Sequence, residues 1–174
     1  MDNSLLWVGR VIKTQGIKGQ IKISSSGGAG NSFSEGKKVY LEDREGGKRD
    51  FTVESARPHK GMTILSLRGV KRVEEAKELV GSSVYLEKAD LEPLPSDEFY
   101  WYQLRGLRVL TEEGLFLGRL EEIWPTGSND VFVVRKEDRE ILLPATDEVV
   151  QRVDLNEGVM VTHLLDGLLP EDDI

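Results

Sequence analysis

The sequence predicts an all-β protein built from two small β-barrels, and three observations lead to this prediction. Short apolar runs alternate with polar residues at the period of two that is typical of half-buried strands. Glycine-containing turn signals separate these runs at short, regular spacing, which favours small barrels over alternating strands and helices. The 174-residue chain also changes its charge once, near the middle, as expected for two modules.

A proline- and acid-rich segment marks the predicted boundary between the modules. The stretch Asp90–Phe99, DLEPLPSDEF, has two prolines and interrupts the apolar pattern as a short stiff linker would. Residues 1–90 carry 16 basic and 12 acidic side chains, a net of +4, whereas residues 91–174 carry 7 and 19, a net of −12. We therefore predict a barrel over 1–90, a linker over 91–97 and a second barrel over 98–174.

Most of the first module is predicted to be strand. The stretch Gly16–Ile23, GIKGQIKI, alternates apolar and polar positions, which predicts a strand with one apolar face formed by Ile17, Gly19, Ile21 and Ile23. The serine- and glycine-rich run Ser24–Ser32 predicts a flexible loop. A hairpin is expected around the Glu-Gly-Gly at 45–47. The helical spacing of VEEAKELVG, Val73–Gly81, predicts a single short helix.

The second module is predicted to contain three hairpins. Their turns are indicated by Thr-Glu-Glu-Gly at 111–114, by a charged tip near 136–139 and by Asn-Glu-Gly at 156–158.

The sequence argues against an enzyme. The glycines of VGRVIKTQGIKGQIKI, residues Val8–Ile23, lack both the spacing and the following helix of a phosphate loop or a dinucleotide fingerprint. There is no cysteine, and the two histidines, His59 and His163, fall in different modules without partners at ligand spacing. No serine elbow or paired-carboxylate arrangement is evident. We predict no catalytic residue, no metal site and no cofactor.

The apolar runs are too short for a signal peptide or a membrane span, so we expect a cytoplasmic protein with no membrane partner.

Two groups of residues are candidates for binding. Four basic residues near the N-terminus could line one side of a strand–turn–strand and contact RNA phosphates: Arg10, Lys13, Lys18 and Lys22. Lysines placed on an edge strand to prevent aggregation would give the same pattern, and residue chemistry alone does not separate the two interpretations.

The run EFYWYQL contains four consecutive aromatic residues. In a strand, Phe99 and Trp101 would face one way, with Tyr100 and Tyr102 facing the other. One pair could anchor a protein partner, or the aromatics could simply join the two domains.

Several of these motifs together resemble the bacterial ribosome maturation factor RimM family. VGRVIKTQGIKGQIKI is similar to that family's N-terminal signature, and RGVKRVEEAKELVGSSVYL to its short helix and closing strand. DEFYWYQLRGLRVLTEEGLFLGRLEEI is similar to its second domain, a PRC barrel. The resemblance covers nearly the whole chain in the right order. Two positions differ, because Gln15 and Gln20 stand where the family usually has His and Glu.

The resemblance implies a translation-factor-like N-terminal barrel and a C-terminal PRC-type barrel. It also implies a non-enzymatic assembly factor that acts as a monomer. Such a factor binds the head of the small (30S) subunit precursor, including ribosomal protein nineteen, and assists 16S rRNA folding and processing. On this interpretation Arg10, Lys13, Lys18 and Lys22 would contact rRNA. Phe99, Tyr100 and Trp101 would contact the ribosomal protein.

Two other hypotheses remain open at this point. One is a general PRC-barrel interaction scaffold unrelated to ribosomes, for which the basic N-terminal signature would be unnecessary. The other is a phosphate-ester or RNA-modifying enzyme, against which the missing catalytic constellation argues.

Overall fold

The computed structural model describes residues 4–25, 32–126 and 129–169. Most of the predicted loop Ser24–Ser32 lies outside these residues. By its internal contacts the chain divides into two compact units, Met1–Tyr102 and Gln103–Ile174. The segment predicted as a linker, 91–97, therefore belongs to the first unit, and the predicted domain limits stay a prediction.

The first unit is a closed six-stranded barrel, which confirms an N-terminal β-barrel. Its strands follow one another around the barrel in the order β1-β2-β5-β4-β3-β6, with antiparallel pairing throughout. A short 3-10 helix, Lys88–Asp90, follows the last strand. The elements are β1 (Leu5–Gln15), β2 (Gln20–Ser25), β3 (Lys38–Glu42), β4 (Lys48–His59), β5 (Met62–Leu67), α1 (Val73–Lys77) and β6 (Ser83–Glu87).

The core of the first unit lies inside the barrel and consists of alternate strand residues. Ile21 and Ile23 of β2 are completely buried, and they pair with Leu65 and Thr63 of β5. The residue between them, Lys22, projects from the other face because successive strand residues alternate. The alternation of apolar and polar residues in the sequence therefore predicted which side chains of β2 face inward and which face outward.

The predicted strand differs from β2 at its start. Ile17 lies in a turn formed by Gly16–Gly19 and is 82% exposed, so it does not belong to the buried face. The two glycines force this turn because Gly16 and Gly19 have φ of 69° and 82°, a region that other residues rarely adopt. A Cβ at Gly19 would also lie 2.8 Å from the carbonyl oxygen of Val70.

The second unit is a six-stranded sheet in the order β10-β9-β8-β7-β12-β11. All three predicted hairpins are present, and the parallel pairing of β12 with β7 joins the last hairpin to the first. Ile123, Phe132 and Leu143 occupy one register row across β8, β9 and β10 and form part of its buried face. The strands are β7 (Arg108–Thr111), β8 (Phe116–Pro125), β9 (Asp130–Lys136), β10 (Arg139–Pro144), β11 (Val150–Asp154) and β12 (Val159–Thr162).

The aromatic segment is not a strand, contrary to the alternation considered for it. Its C-terminal part forms the short helix α2 (Trp101–Leu104). The tyrosines consequently do not share a strand face, although the rings of Tyr100 and Tyr102 stack with their centroids 6.0 Å apart.

Within the described ranges, no helix has the length and apolar character needed to cross a membrane.

Candidate nucleic-acid interface

One register row on the outer face of the barrel crosses four strands and carries basic side chains on three of them, while its β5 member, Ile64, is apolar and 1% exposed. Lys13 of β1 is directly opposite Lys22 of β2, Lys22 is opposite Ile64 of β5, and Ile64 is opposite Arg57 of β4. Directly opposed residues of antiparallel strands point to the same face of a sheet. Adjacent strands lie about 4.8 Å apart, so Lys13 and Arg57 mark the ends of a row about 14 Å long.

The hairpin between β4 and β5 adds two more basic groups beside this row. His59 and Met62 pair at its end, and Lys60 and Gly61 form the two-residue turn. Both turn residues have positive φ, 51° at Lys60 and 77° at Gly61, as in a type I′ hairpin turn. We call Lys13, Lys22, Arg57, His59 and Lys60 the basic cluster.

Burial and neighbouring positive charges together lower two pKa values in the basic cluster. Only 6% of Lys22 is exposed, and burial lowers the pKa of its ammonium group, with further lowering by the charges of Lys13 and Lys60. The pKa of His59 is also lowered, first by burial and then by Lys22, Lys60, Arg57 and Lys13. Both shifts favour the neutral forms, because burial disfavours a charged side chain and the neighbouring positive charges add to that effect.

Of the four predicted RNA-contacting residues, the structure brings Lys13 and Lys22 together. Arg10 lies on the same outer face, opposite Ser24, but its Nη1 donates a hydrogen bond to the carbonyl of Gly81 at 3.3 Å, so it also has a structural role. Lys18 is exposed in the turn before β2, at the opposite end of that strand from the β4–β5 turn. The four residues therefore do not form one compact group.

Three members of the basic cluster were missed in the sequence: Arg57, His59 and Lys60. The stretch RPHKG at 57–61 contains two cations, a histidine and a lysine–glycine pair between two strand patterns. A Lys-Gly pair is a weaker turn signal than Asn-Gly, so the sequence did not indicate a tight hairpin at this position.

Of the two glutamines at the β1–β2 turn, Gln20 makes a side-chain hydrogen bond. Gln15 and Gln20 face each other where β1 and β2 meet. The side-chain amide of Gln20 donates to Ser66 Oγ at 2.8 Å, which links β2 to β5.

The predicted protein-contacting aromatics are mostly buried. Tyr100 is 5% exposed and Trp101 is 2% exposed, whereas Phe99 is half-buried. The ring of Trp101 meets that of Trp7 edge-on, with centroids 5.0 Å apart, and Tyr100 packs with the core of the first unit. Side-chain exposure therefore gives no support to a partner contact by Tyr100 or Trp101.

Hydrogen bonds fix Tyr100 against the first unit. Its hydroxyl donates to the carbonyl of Glu92 and lies 3.4 Å from Ser32 Oγ, which in turn accepts a bond from the backbone N–H of Glu92 at 3.1 Å. These bonds hold the chain after the 3-10 helix close to the barrel.

The second unit exposes apolar side chains on the outer face of β8–β10. Trp124 is 38% exposed and Leu142 is 44% exposed. Both lie on the side opposite the buried row of this sheet. Trp124 pairs with the half-buried Val131 of β9, and Leu142 pairs with Val133, which is completely buried. We call Trp124 and Leu142, with Val131 between them in the sheet, the apolar patch.

One carboxylate contacts the apolar patch directly, and two more lie on the neighbouring Arg135. Glu122 accepts a hydrogen bond from the indole N–H of Trp124 at 2.7 Å. Arg135 contacts three carboxylates, at 3.1 Å from Glu121, 3.5 Å from Glu122 and 2.9 Å from Glu140. These contacts raise the pKa of Arg135, and Arg119 lies directly opposite it on β8, so two guanidinium groups stand beside the three carboxylates.

Over the ranges 4–25, 32–126 and 129–169, no group of three His, Asp or Glu side chains is arranged to hold a metal ion.

A closed six-stranded barrel followed by a unit built on a second six-stranded sheet defines a two-domain all-β protein. The RimM N-terminal domain family matches residues 6–91, and the RimM PRC barrel domain family matches residues 101–168. The chain therefore belongs to the RimM family of ribosome maturation factors.

Two relatives with similar sequences agree with this assignment. The chain is 41% identical to a ribosome maturation factor RimM of Geobacter metallireducens, with 97% of each chain covered. It is 42% identical to one of Syntrophus aciditrophicus, covering 92% of this chain and 97% of the relative. Among solved structures, a RimM protein of Pseudomonas aeruginosa is 29% identical, covers 92% of this chain and 97% of its own, and has a TM-score of 0.40.

Proposed function

We propose that this chain is a non-enzymatic assembly factor that acts as a monomer in the cytoplasm and binds the maturing small ribosomal subunit at its head. There it contacts ribosomal protein nineteen and 16S rRNA and assists folding and processing of that RNA. The observation that carries the proposal is the near-full-length similarity to ribosome maturation factors, at 41% identity over 97% of the chain.

The separation of charge supports different binding partners for the two units. The basic cluster lies on the first unit, where cations suit RNA phosphates. The apolar patch lies in the acidic part of the chain, residues 91–174 with a net charge of −12, and Glu122 contacts Trp124 within it, which suits a basic ribosomal protein. Phe99 remains a candidate for protein contact, while Tyr100 and Trp101 hold the segment in place from the core.

The proposed mechanism is a shift of populations. A factor that binds a correctly arranged head more tightly than a misfolded one increases the fraction of correctly arranged subunits by its difference in affinity. Such an activity needs two binding surfaces and no catalytic group.

The test is capture of precursors by the tagged full-length chain from a bacterial lysate, with primer extension to measure unprocessed 16S rRNA. We expect enrichment of small-subunit precursors over mature subunits. Recovery of no ribosomal material would contradict the proposal, and recovery of non-ribosomal proteins alone would favour the general scaffold.

A pair of double variants tests the apolar patch directly. We expect Trp124→Ser with Leu142→Ser to weaken binding of purified ribosomal protein nineteen at least tenfold, because exposed anchors of this kind contribute roughly 2 kcal/mol each. The matched control is Leu115→Ser with Leu155→Ser, two side chains of similar exposure outside the patch. Equal affinities for both variants would place the protein contact elsewhere.

A further inference from the structure

We propose that the β4–β5 hairpin and the adjoining face of β1 and β2 form one site for the phosphodiester backbone of RNA. The exposed side chains of Lys13, Arg57 and Lys60 make the contacts, and Lys22, which is only 6% exposed, adds positive charge beside them. The proposal deepens the proposed function, on which it rests, by assigning the RNA contact to a hairpin that lies outside the N-terminal signature.

The first support is the alignment of the charges. Lys13, Lys22 and Arg57 occupy one register row, and the turn that holds Lys60 lies at the end of the same two strands, β4 and β5. A row about 14 Å long is more extended than one phosphate group and fits a linear polyanion. RNA is the polyanion with which the proposed function brings this face into contact.

The second support is that the protein does not neutralise this charge. None of the ion pairs found among the described residues involves a member of the basic cluster. Lys13 and Lys22 are directly opposed like charges, an arrangement that destabilises a sheet. A bound phosphate would relieve this repulsion, whereas protection of a sheet edge does not account for it, because β2 is paired on both sides.

The third support is the conformation of Lys60. A lysine at φ 51° occupies a turn position where Asn or Gly would be less strained. The strain places a cation at the tip of the hairpin, next to the other charges that lower the pKa of Lys22 and His59.

The test compares RNA affinity of the full-length wild type with that of Arg57→Gln/Lys60→Asn, by filter binding to a 16S rRNA transcript. Asn favours the positive φ of position 60, so this variant removes two charges while keeping the turn. We expect roughly tenfold weaker binding near physiological salt. Between about 0.05 and 0.3 M salt, the slope of log affinity against log salt should become less negative by about 1.5, because each lost phosphate contact removes about 0.7 to 0.9.

The matched control is Lys77→Gln/Lys88→Gln, which removes two exposed lysines of the same unit outside the basic cluster. The control should bind with the wild-type affinity and slope. Thermal denaturation should show that Arg57→Gln/Lys60→Asn is folded.

Each outcome bears on one of the two proposals. The hairpin site would be overturned if Arg57→Gln/Lys60→Asn kept the wild-type RNA affinity and salt slope, or if the control lost as much affinity as this variant. Either result would leave precursor capture, and with it the proposed function, intact. The wild type could fail to capture precursors while its RNA affinity still depends on Arg57 and Lys60. That result would overturn the proposed function and support the site. No binding of the transcript by the wild type would overturn the site.

Discussion

The exposed pair of His163 and Glu112 makes the stability of the folded chain depend on pH. Its Nδ1 lies 2.9 Å from Glu112 Oε2, and this hydrogen bond and charge raise the pKa of the imidazole. A raised pKa means that the folded chain holds the proton more tightly than the unfolded chain does. The stabilisation is fully present below about pH 6.5 and is lost as the pH rises through the raised pKa of His163.

We expect Glu112→Gln to lower the pKa of His163 toward its ordinary value. NMR titration of the imidazole signals measures this, and a His59→Gln variant assigns the two histidines. In the second unit, the stability difference between pH 5.5 and pH 8 should shrink in Glu112→Gln. An unchanged pKa would mean that Glu112 does not hold the proton on His163 in solution.

Single residues also show the limits of what the sequence predicts. The alternation correctly placed Ile21 and Ile23 in the core and Lys22 on the outer face. It could not predict that Lys22 is only 6% exposed, because this depends on side chains brought together from distant strands. For the same reason the burial of Tyr100 and Trp101 was not evident from their local run of aromatics.

At the scale of elements, the Gly16–Gly19 turn offers a matched pair of substitutions. Both glycines have positive φ, but a Cβ at Gly16 meets nothing within 4 Å, whereas one at Gly19 meets the backbone of Val70, Lys71 and Arg72. Gly19 thus allows the turn to pack closely against the segment that leads into α1.

We expect Gly16→Ala to lower the free energy of unfolding by about 1 kcal/mol, the cost of the left-handed conformation alone. Gly19→Ala should cost about 3 kcal/mol, because a backbone clash adds to that strain. Urea denaturation measures both values. Equal costs would show that the packing against Val70 does not constrain this turn.

Elements with strong local signals were predicted well, and those decided by packing were not. The hairpins of the second unit were identified because turn residues separate alternating runs. Helix α2 was not identified, since four aromatic residues favour a strand by propensity and only their burial favours a helical turn. The hairpin with Lys60 at its turn was missed because its turn uses an uncommon residue at positive φ.

At the scale of the whole molecule, the extent of the first domain can be tested with fragments. The first unit runs to Tyr102, because Tyr100 is buried in its core and partly buried Leu91 and Leu94 pack against the same cluster. A fragment ending at residue 90, the limit predicted from sequence, would lose these contacts.

We expect fragment 1–102 to be more stable than fragment 1–90 by at least about 3 kcal/mol, the typical cost of removing a large buried aromatic side chain. Tyr100→Phe in the longer fragment should cost only about 1 kcal/mol, because it removes hydrogen bonds but keeps the ring. Chemical denaturation followed by circular dichroism measures all three. Equal stability of the two fragments would confirm the shorter domain.

The parallel pairing of β12 with β7 has a consequence for how the chain folds as it is synthesised. The first barrel closes when β6 pairs with β1, so its last strand ends at Glu87. The sheet of the second unit is incomplete until Thr162, about 75 residues later, because β7 pairs with β12, which is the last strand to be synthesised. At typical bacterial rates this interval is roughly 4 to 15 seconds, long enough for the first barrel to fold while the acidic unit is still growing. The basic face would then be the first binding surface of each new molecule to form.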